Sequence, residues 1–244
     1  MRKTIWTVSF ILVLATTLVA IYTNNETLKM ATKPLLMPLL ILYFLSETKR
    51  FVAYLKTWII LALFFSWVGD ILLLFESTGK NYFLFGLSSF LVAQLFYIFF
   101  FHTVRVRENI KGKILLLLIA LIYYSVLTIK LSPSLEKAHL NLPVRIYGAV
   151  LSFMVMLALH SLSGKNKKAG WLMSMGAVLF VISDSILAFN KFYSPIQYGE
   201  LIVMLTYGLA QLLITSGAID YINSQEKLNR ITGSTRVRLR RNES

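Results

Sequence analysis

The chain alternates between long apolar runs and short polar connections, and this alternation predicts its elements. Each residue of a helix advances it by about 1.5 Å, so crossing about 30 Å of hydrocarbon takes about 20 apolar residues. Eight segments fit this description, at approximately 5–22, 34–46, 57–75, 82–101, 114–130, 144–160, 170–189 and 199–221. The pattern predicts an all-α, polytopic membrane bundle of eight transmembrane helices over residues 1–222, followed by a basic tail over residues 223–244.

The second segment departs from the pattern. It reads "PLLMPLLILYFLS", which is short for a span, and it carries Pro34 and Pro38. Proline suits the first turn of a helix but removes a backbone donor further inside it. We expect this helix to be tilted, broken or partly sheltered from lipid.

Composition supports the membrane assignment. Hydrophobic residues make up 57% of the chain and charged residues 15%, with a mean hydropathy of +0.67. Soluble domains usually carry about a quarter charged residues. The sequence has no cysteine, which excludes disulfides, thiol nucleophiles and thiolate metal sites.

The distribution of basic residues predicts an orientation. The connections on the side of the N-terminus, together with the C-terminal tail, hold 18 of the 25 lysines and arginines. Because cytoplasmic loops are enriched in basic residues, both termini are predicted to be cytoplasmic, in a plasma membrane or bacterial inner membrane. The tail "RITGSTRVRLRRNES" is interpreted as a topology determinant that contacts anionic lipid headgroups rather than nucleic acid.

Two of the apolar segments contain an aspartate. Asp70 lies within "FFSWVGDILLLFES" and Asp184 within "LFVISDSILAFNKF". An ionised carboxylate in hydrocarbon costs several kcal/mol, so it usually faces the bundle interior or water and serves a function. The alternative is a hydrogen-bonded aspartate that only fixes helix packing.

The two aspartate segments belong to an internal repeat. "GDILLLF" at 69–75 matches "SDSILAF" at 183–189, and each is followed by "AQL", at 93–95 and 210–212. Four crossings separate the copies, which suggests a parallel 4 + 4 repeat. Two equivalent carboxylates would then face each other across one cavity, one protonated and the other ionised, as in many acid–base hydrolytic sites.

Further polar residues are expected at the non-cytoplasmic end of this cavity. Lys33, Tyr147, Asn190 and Lys191 all lie near helix ends on that side, and cations beside two acids suit an amphiphile with a phosphate headgroup. A lysine that only snorkels to the interface is the alternative. Deeper in the bundle, Gln94 and Gln211 either line the floor of the cavity or bridge helices.

Other chemistries lack support in the sequence. His102, His139 and His160 are scattered at loops and helix ends, and no HExxH pattern, P-loop or nucleophile elbow occurs. No histidine shares a plausible site with Ser183 or Ser185, so a serine hydrolase is not supported. We expect no cofactor and no metal, although two carboxylates are also ligands that Mg²⁺ or Ca²⁺ accepts.

Five motifs carry a resemblance to a known family. They are "TKPLLMPLL" (32–40), "SWVGDILLLF" (66–75), "FGLSSFLVAQLFYI" (85–98), "VISDSILAFNKF" (181–192) and "LTYGLAQLLITSG" (205–217). Together they resemble the YhhN / TMEM86 family of multi-pass membrane proteins, over about 28–220. The characterised members are lysoplasmalogenases. The resemblance implies hydrolysis of a lysoplasmalogen vinyl ether bond, giving a fatty aldehyde and glycerophosphoethanolamine or glycerophosphocholine.

The resemblance also suggests roles for the candidate residues. Asp70 and Asp184 are the expected acid–base pair, by analogy with the two carboxylates of glycoside hydrolysis. Lys33 and Lys191 are candidates for the substrate phosphate, and the cavity lining is expected to include Tyr147, Asn190, Tyr207, Gln94 and Gln211. The expected partners are a lysophospholipid substrate and membrane lipids.

Two other functions fit the same residues. A small proton-coupled transporter or lipid carrier uses intramembrane acids in a repeat architecture. A non-catalytic membrane scaffold would need the aspartates only for packing. Within the hydrolase interpretation, a related lysophospholipid or another ether lipid is the alternative substrate.

Overall fold

The computed structural model describes residues 2–48, 53–137 and 140–242, and within these ranges the regular structure is helical, with no strand. The helices are α1 (Arg2–Tyr22), α2 (Glu26–Thr32), α3 (Leu36–Glu47), α4 (Ala53–Leu74), α5 (Lys80–Arg107), α6 (Ile114–Lys137), α7 (Asn141–His160), α8 (Lys167–Phe192) and α9 (Gly199–Asn242). Short 3₁₀ turns occupy Lys33–Leu35 and Ser161–Ser163. The all-α prediction is confirmed.

Among the described residues, eight helical stretches are long and apolar enough to cross a membrane, as predicted. The second stretch covers Glu26–Glu47 and so begins earlier than the apolar pattern indicates, because its first turns are polar. The last helix continues past the predicted end of its span to Asn242, through most of the basic tail. Residues 243–244 and His139 lie outside the described residues.

The second span is broken, which is one of the three alternatives that the sequence leaves open. It consists of α2, the 3₁₀ turn Lys33–Leu35, and α3. Pro38 has no N–H, so the Pro34 carbonyl lacks its usual helical donor. The Trp67 indole on α4 donates a 2.8 Å hydrogen bond to that carbonyl instead. This contact fixes the turn that carries Lys33 against α4.

Helices α4 and α5 form one closely packed antiparallel pair, and α8 and α9 form another. In the first pair, a Cβ at Gly69 would lie 2.7 Å from the Phe90 ring. In the second, a Cβ at Gly176 would lie 2.7 Å from the Ile214 side chain and 2.8 Å from the Ala210 carbonyl oxygen. Small residues thus let both pairs approach closely.

A serine bonds across each of these pairs as well. The Ser89 hydroxyl on α5 donates to the Phe65 carbonyl on α4 at 2.6 Å. The Ser183 hydroxyl on α8 donates to the Val203 carbonyl on α9 at 3.0 Å. These contacts lie at positions that the repeat does not make equivalent, because the repeat aligns Gly69 with Ser183. The 4 + 4 repeat stays a prediction.

Candidate active site

A cavity of about 460 Å³ lies between the helices and opens at the end of the bundle opposite the N-terminus. Its mouth is formed where α2, α5, α7 and α9 begin and where α4 and α8 end. Polar groups line it together with apolar side chains from α1 and from α4 to α9. Its polar lining consists of Glu26, Lys29, Lys33, Asp70, Glu76, Ser77, Tyr123, Tyr147, Ser183, Asp184, Asn190, Lys191, Glu200 and Tyr207.

Asp70 is held on α4 near the bottom of the cavity. Its side chain is buried, with 2% relative exposure. The Tyr207 hydroxyl on α9 donates a 2.8 Å hydrogen bond to Asp70 Oδ2. Lys33, in the 3₁₀ turn of the second span, also acts on this carboxyl electrostatically. Asp70 therefore has a neutral donor from one helix and a cation from another.

Asp184 reaches the same cavity from α8 and is partly exposed to it. Its Oδ2 accepts a short hydrogen bond from the Tyr147 hydroxyl on α7. The Gln94 amide on α5 donates to the same oxygen at 3.3 Å. Asp184 also lies within electrostatic reach of Asp70. The two carboxyls thus line one cavity, close enough for their charges to interact.

Gln94 and Gln211 have different roles in the structure. Neither is among the residues that line the cavity. Gln94 lies against Asp184. Gln211 instead joins three helices, because its Oε1 accepts from the Tyr97 hydroxyl at 2.5 Å and its Nε2 donates to Ser66 Oγ at 3.0 Å. Gln211 therefore bridges helices, whereas Gln94 supports a carboxyl. For Gln211 the structure therefore favours the bridging alternative, and a role in substrate binding stays a prediction for both residues.

Ion pairs surround the mouth. Lys191 Nζ lies 2.5 Å from Glu76 Oε1 and so ties the end of α8 to the residues after α4. Lys29 Nζ lies 2.8 Å from Glu26 and 3.2 Å from Glu200. The mouth therefore presents both signs of charge side by side.

Asn190 has a structural contact at this mouth. Its Oδ1 accepts a 2.8 Å hydrogen bond from the Ile196 amide, which fixes the turn between α8 and α9. A Cβ at Gly199 would lie 2.9 Å from the same side chain, so the turn packs closely around it. The side-chain oxygen of Asn190 is thus already engaged, although the residue lines the cavity.

The cavity brings together seven of the nine residues singled out from the sequence: Lys33, Asp70, Tyr147, Asp184, Asn190, Lys191 and Tyr207. Sequence reasoning missed the acidic rim and Tyr123. Glu76 carried a usable signal, because it follows Asp70 by as many positions as Asn190 follows Asp184. Tyr123 stands in an apolar run with no such marker.

The described residues contain no group of three or more histidines, aspartates or glutamates that is close enough to hold a metal ion. What they do contain is a pair of carboxyls, each oriented by a tyrosine hydroxyl, in a partly enclosed space between apolar helices. Such a pair can hold one proton and exchange it with a bound molecule.

Comparison with known proteins identifies the family of the chain. Residues 28–218 match the YhhN family, a range that contains both aspartates and both glutamines. This chain belongs to the YhhN family. The family match covers the elements from α3 to α8 and every residue of the cavity lining except Ile21 and Glu26.

Curated relatives of this YhhN chain carry names that state an activity. Lysoplasmalogenase TMEM86B of Rattus norvegicus is 34% identical over 164 residues, 67% of this chain and 62% of the rat protein. Lysoplasmalogenase TMEM86A of Homo sapiens is 33% identical over 67% of this chain and 66% of its own length. A lysoplasmalogenase of Mycobacterium bovis is 29% identical over 66% of this chain and 60% of its own length.

The alignments thus span about three fifths to two thirds of the length of these curated relatives. No solved structure matches this chain.

Proposed function

We propose that this chain is an intramembrane hydrolase that cleaves the vinyl ether bond of a lysoplasmalogen, with Asp70 and Asp184 as its acid–base pair. One observation carries the proposal: the two carboxyls share one cavity, and each accepts a hydrogen bond from a tyrosine hydroxyl. The names of the relatives support the same reaction.

The reaction needs a proton, a water molecule and no redox partner. A carboxylic acid protonates the β-carbon of the C=C–O unit, which leaves an oxocarbenium ion. Water adds to the α-carbon as a carboxylate takes up its proton. The hemiacetal then breaks its C–O bond to the glycerol oxygen, which gains a proton as the hemiacetal hydroxyl loses one, so that the products are a fatty aldehyde and glycerophosphoethanolamine or glycerophosphocholine. The cation-like intermediate parallels that of glycoside hydrolysis, where two carboxyls divide the work.

The two tyrosines would serve as positioning residues for this pair. Tyr207 and Tyr147 each donate to an Oδ2 oxygen, which leaves the Oδ1 oxygen of each aspartate for the substrate or water. Gln94 adds a second donor on Asp184. A carboxyl fixed in this way loses little freedom when substrate binds, which favours reaction.

The charged mouth would bind the headgroup. Lys33 extends from the broken second span into the cavity lining, where its charge acts on Asp70. Lys191 also lines the cavity, but it already forms an ion pair with Glu76. We assign the substrate phosphate first to Lys33 and second to Lys191. The carboxylates Glu76 and Glu200, each paired with a lysine of the mouth, are the candidates for an ammonium group, such as that of ethanolamine or choline.

The membrane orientation remains part of the proposal. If the basic connections and the C-terminal tail lie in the cytoplasm, the cavity opens on the opposite side. The headgroup would then approach from the non-cytoplasmic leaflet of a plasma or bacterial inner membrane.

The test is aldehyde release by the full chain, purified in detergent. Two substrates are compared: a lysoplasmalogen, and the saturated lyso-ether lipid of equal chain length, which has no double bond to protonate. We expect aldehyde from the first and none from the second. Transport has no meaning in detergent, so a folded protein that releases no aldehyde would contradict the hydrolase and favour a carrier or a scaffold.

A further inference from the structure

Tyr123 on α6 lines the cavity, yet the mechanism described so far does not use it. Among the described residues its one hydrogen-bond partner is Ser185 on α8, whose Oγ lies 2.8 Å from the Tyr123 hydroxyl. Ser185 directly follows Asp184 in the chain. Tyr123 also lies within electrostatic reach of Asp184 and of Tyr147. A second tyrosine hydroxyl thus lies near this carboxyl without donating to it.

The direction of the Tyr123–Ser185 hydrogen bond follows from the hydrogens that the two groups have. A serine hydroxyl has one hydrogen. Ser185 Oγ lies 2.6 Å from the backbone carbonyl oxygen of Val181, to which it donates. Because a carbonyl oxygen can only accept, this contact uses the single hydrogen of Ser185. The hydrogen between Tyr123 and Ser185 therefore belongs to Tyr123.

The Tyr123 oxygen is consequently left as an acceptor. Its hydrogen is fixed on Ser185, and its lone pairs receive no donor from the part of the chain that the structure describes. A hydroxyl held in this way can bind a ligand group that has a hydrogen to donate. It disfavours a ligand group that can only accept, because two oxygens would then face each other without a hydrogen between them.

The surroundings of Tyr123 make such a contact selective. Its ring packs against the main apolar core and against the smaller cluster that contains Leu127 and Leu131. A ligand hydroxyl that is buried in apolar surroundings loses affinity unless it finds a partner. The acceptors near this point of the cavity are the Tyr123 oxygen and the Asp184 carboxyl.

A lysoplasmalogen has a hydroxyl in the position that this acceptor would serve. Its hydrocarbon chain is attached to glycerol through the vinyl ether, and the next glycerol carbon carries a free hydroxyl. Only two carbons separate that hydroxyl from the ether oxygen, so the hydroxyl must lie beside the bond that is cleaved. In a phospholipid with two chains the same oxygen has no hydrogen to donate.

We propose that Tyr123 recognises the free glycerol hydroxyl of the substrate, accepting a hydrogen bond from it while donating its own hydrogen to Ser185. The contact selects lipids with one chain over lipids with two, and it holds the ether bond beside Asp184. The inference rests on the proposed function for the identity of its ligand as a lysolipid.

Tyr123→Phe tests this contact, with Tyr124→Phe as the matched control. Both tyrosines lie on α6, but Tyr124 does not line the cavity. The probes are two saturated lyso-ether lipids, one with the glycerol hydroxyl and one with a hydrogen in its place. Neither is hydrolysed, and the second is smaller, so it cannot clash. Calorimetry at one detergent concentration gives both dissociation constants.

The preference for the hydroxyl probe is the quantity that decides. We expect Tyr123→Phe to reduce this preference about fivefold, which is the contribution of one hydrogen bond, whereas Tyr124→Phe should keep it within about twofold of wild type. A purely structural role for Tyr123 would weaken both probes equally and leave the preference unchanged. That result would overturn the proposal, and so would a ligand hydroxyl that binds Asp184 instead.

Ser185→Ala tests the direction of the hydrogen bond and keeps the proposal testable if Tyr123→Phe fails to fold. It frees the Tyr123 hydrogen, which can then be donated to a ligand oxygen that only accepts. A third probe, with a ketone oxygen in place of the hydroxyl, should gain about fivefold relative to the hydroxyl probe. Ser88→Ala is the control, because Ser88 donates to the Leu84 carbonyl in the same way and does not line the cavity. No gain in Ser185→Ala would overturn the proposal.

Binding and hydrolysis separate this inference from the proposed function. Protein that prefers the hydroxyl probe through Tyr123, but releases no aldehyde from a lysoplasmalogen, would contradict the hydrolase and support Tyr123 as the recognition residue. Protein that releases aldehyde while its preference does not depend on Tyr123 would overturn the inference alone.

Discussion

Tyr207 on α9 donates a 2.8 Å hydrogen bond to Asp70 on α4, although the two residues lie 137 positions apart. The ring of Tyr207 also packs edge-on against Phe90 and Phe180, with centroids 5.8 and 5.7 Å away. Its hydroxyl is therefore held in place independently of the carboxyl that it contacts. The Asp184 carboxyl has an equivalent donor in Tyr147.

Tyr207→Phe should remove the donor and keep the ring packing. A hydrogen bond to a charged group contributes about 1.5–3 kcal/mol, so we expect kcat for aldehyde release to fall about tenfold or more. The control is Tyr43→Phe, because the Tyr43 hydroxyl is buried, has no hydrogen-bond partner among the described residues and lies outside the cavity. That variant should retain full activity. Equal activity in both variants would argue against a positioning role for Tyr207.

Lys33→Met should mainly raise KM, since Lys33 is the first candidate for the substrate phosphate. The loss of one charge-assisted contact predicts an increase of about tenfold or more. Lys191→Met should raise KM less, because Lys191 is already paired with Glu76 at 2.5 Å. Steady-state kinetics on detergent-solubilised protein checks both. A larger effect at Lys191 would reverse the assignment.

Gln211→Leu should mainly lower the stability of the protein, whereas Gln94→Leu should mainly lower its activity. Removing Gln211 leaves the buried hydroxyls of Tyr97 and Ser66 without their partner, which costs about 1–3 kcal/mol each. We therefore expect a clear drop in the thermal midpoint in detergent. Removing Gln94 takes a donor from Asp184, so activity should fall more than stability does. The same pattern in both variants would mean that the glutamines have one role.

Gly176→Ala should destabilise the protein. Its Cβ would lie 2.8 Å from the backbone at Ala210 and Ile214, and overpacking of this kind costs about 1–3 kcal/mol. Gly148→Ala is the matched control, because its Cβ meets only ordinary contacts, the nearest at 3.5 Å. Alanine also favours helix over glycine by about 1 kcal/mol, so this variant should be neutral or more stable. Thermal unfolding in detergent of both variants gives the comparison.

Much of the fold follows from the sequence because the bilayer restricts it so strongly. Apolar length predicts each span, and Pro34 and Pro38 predict the break in the second one. The start of that span at Glu26 was missed, since its polar first turns lie at the mouth of a charged cavity rather than in lipid. Apolar length carries no information about such a turn.

The candidate site was predictable as a group of residues but not as a set of contacts. Intramembrane charge and repetition identify Asp70 and Asp184, and the structure places both in one cavity. Which donor serves each carboxyl depends on how distant helices pack. The Lys191–Glu76 pair also depends on how distant helices pack. The bridging role of Gln211 could not be predicted either, because the sequence around Gln211 does not distinguish it from Gln94.

The most direct test of the two-carboxyl account is aldehyde release by Asp70→Asn and Asp184→Asn. Asparagine keeps the size and much of the hydrogen bonding of aspartate but can neither donate a proton as an acid nor accept one as a base. Asp220→Asn is the control, because Asp220 pairs with Lys168 and lies outside the cavity. The account predicts that each cavity variant folds but loses at least about 100-fold in kcat, as expected for acid–base groups, while the control keeps its activity. Wild-type turnover in either cavity variant would contradict it.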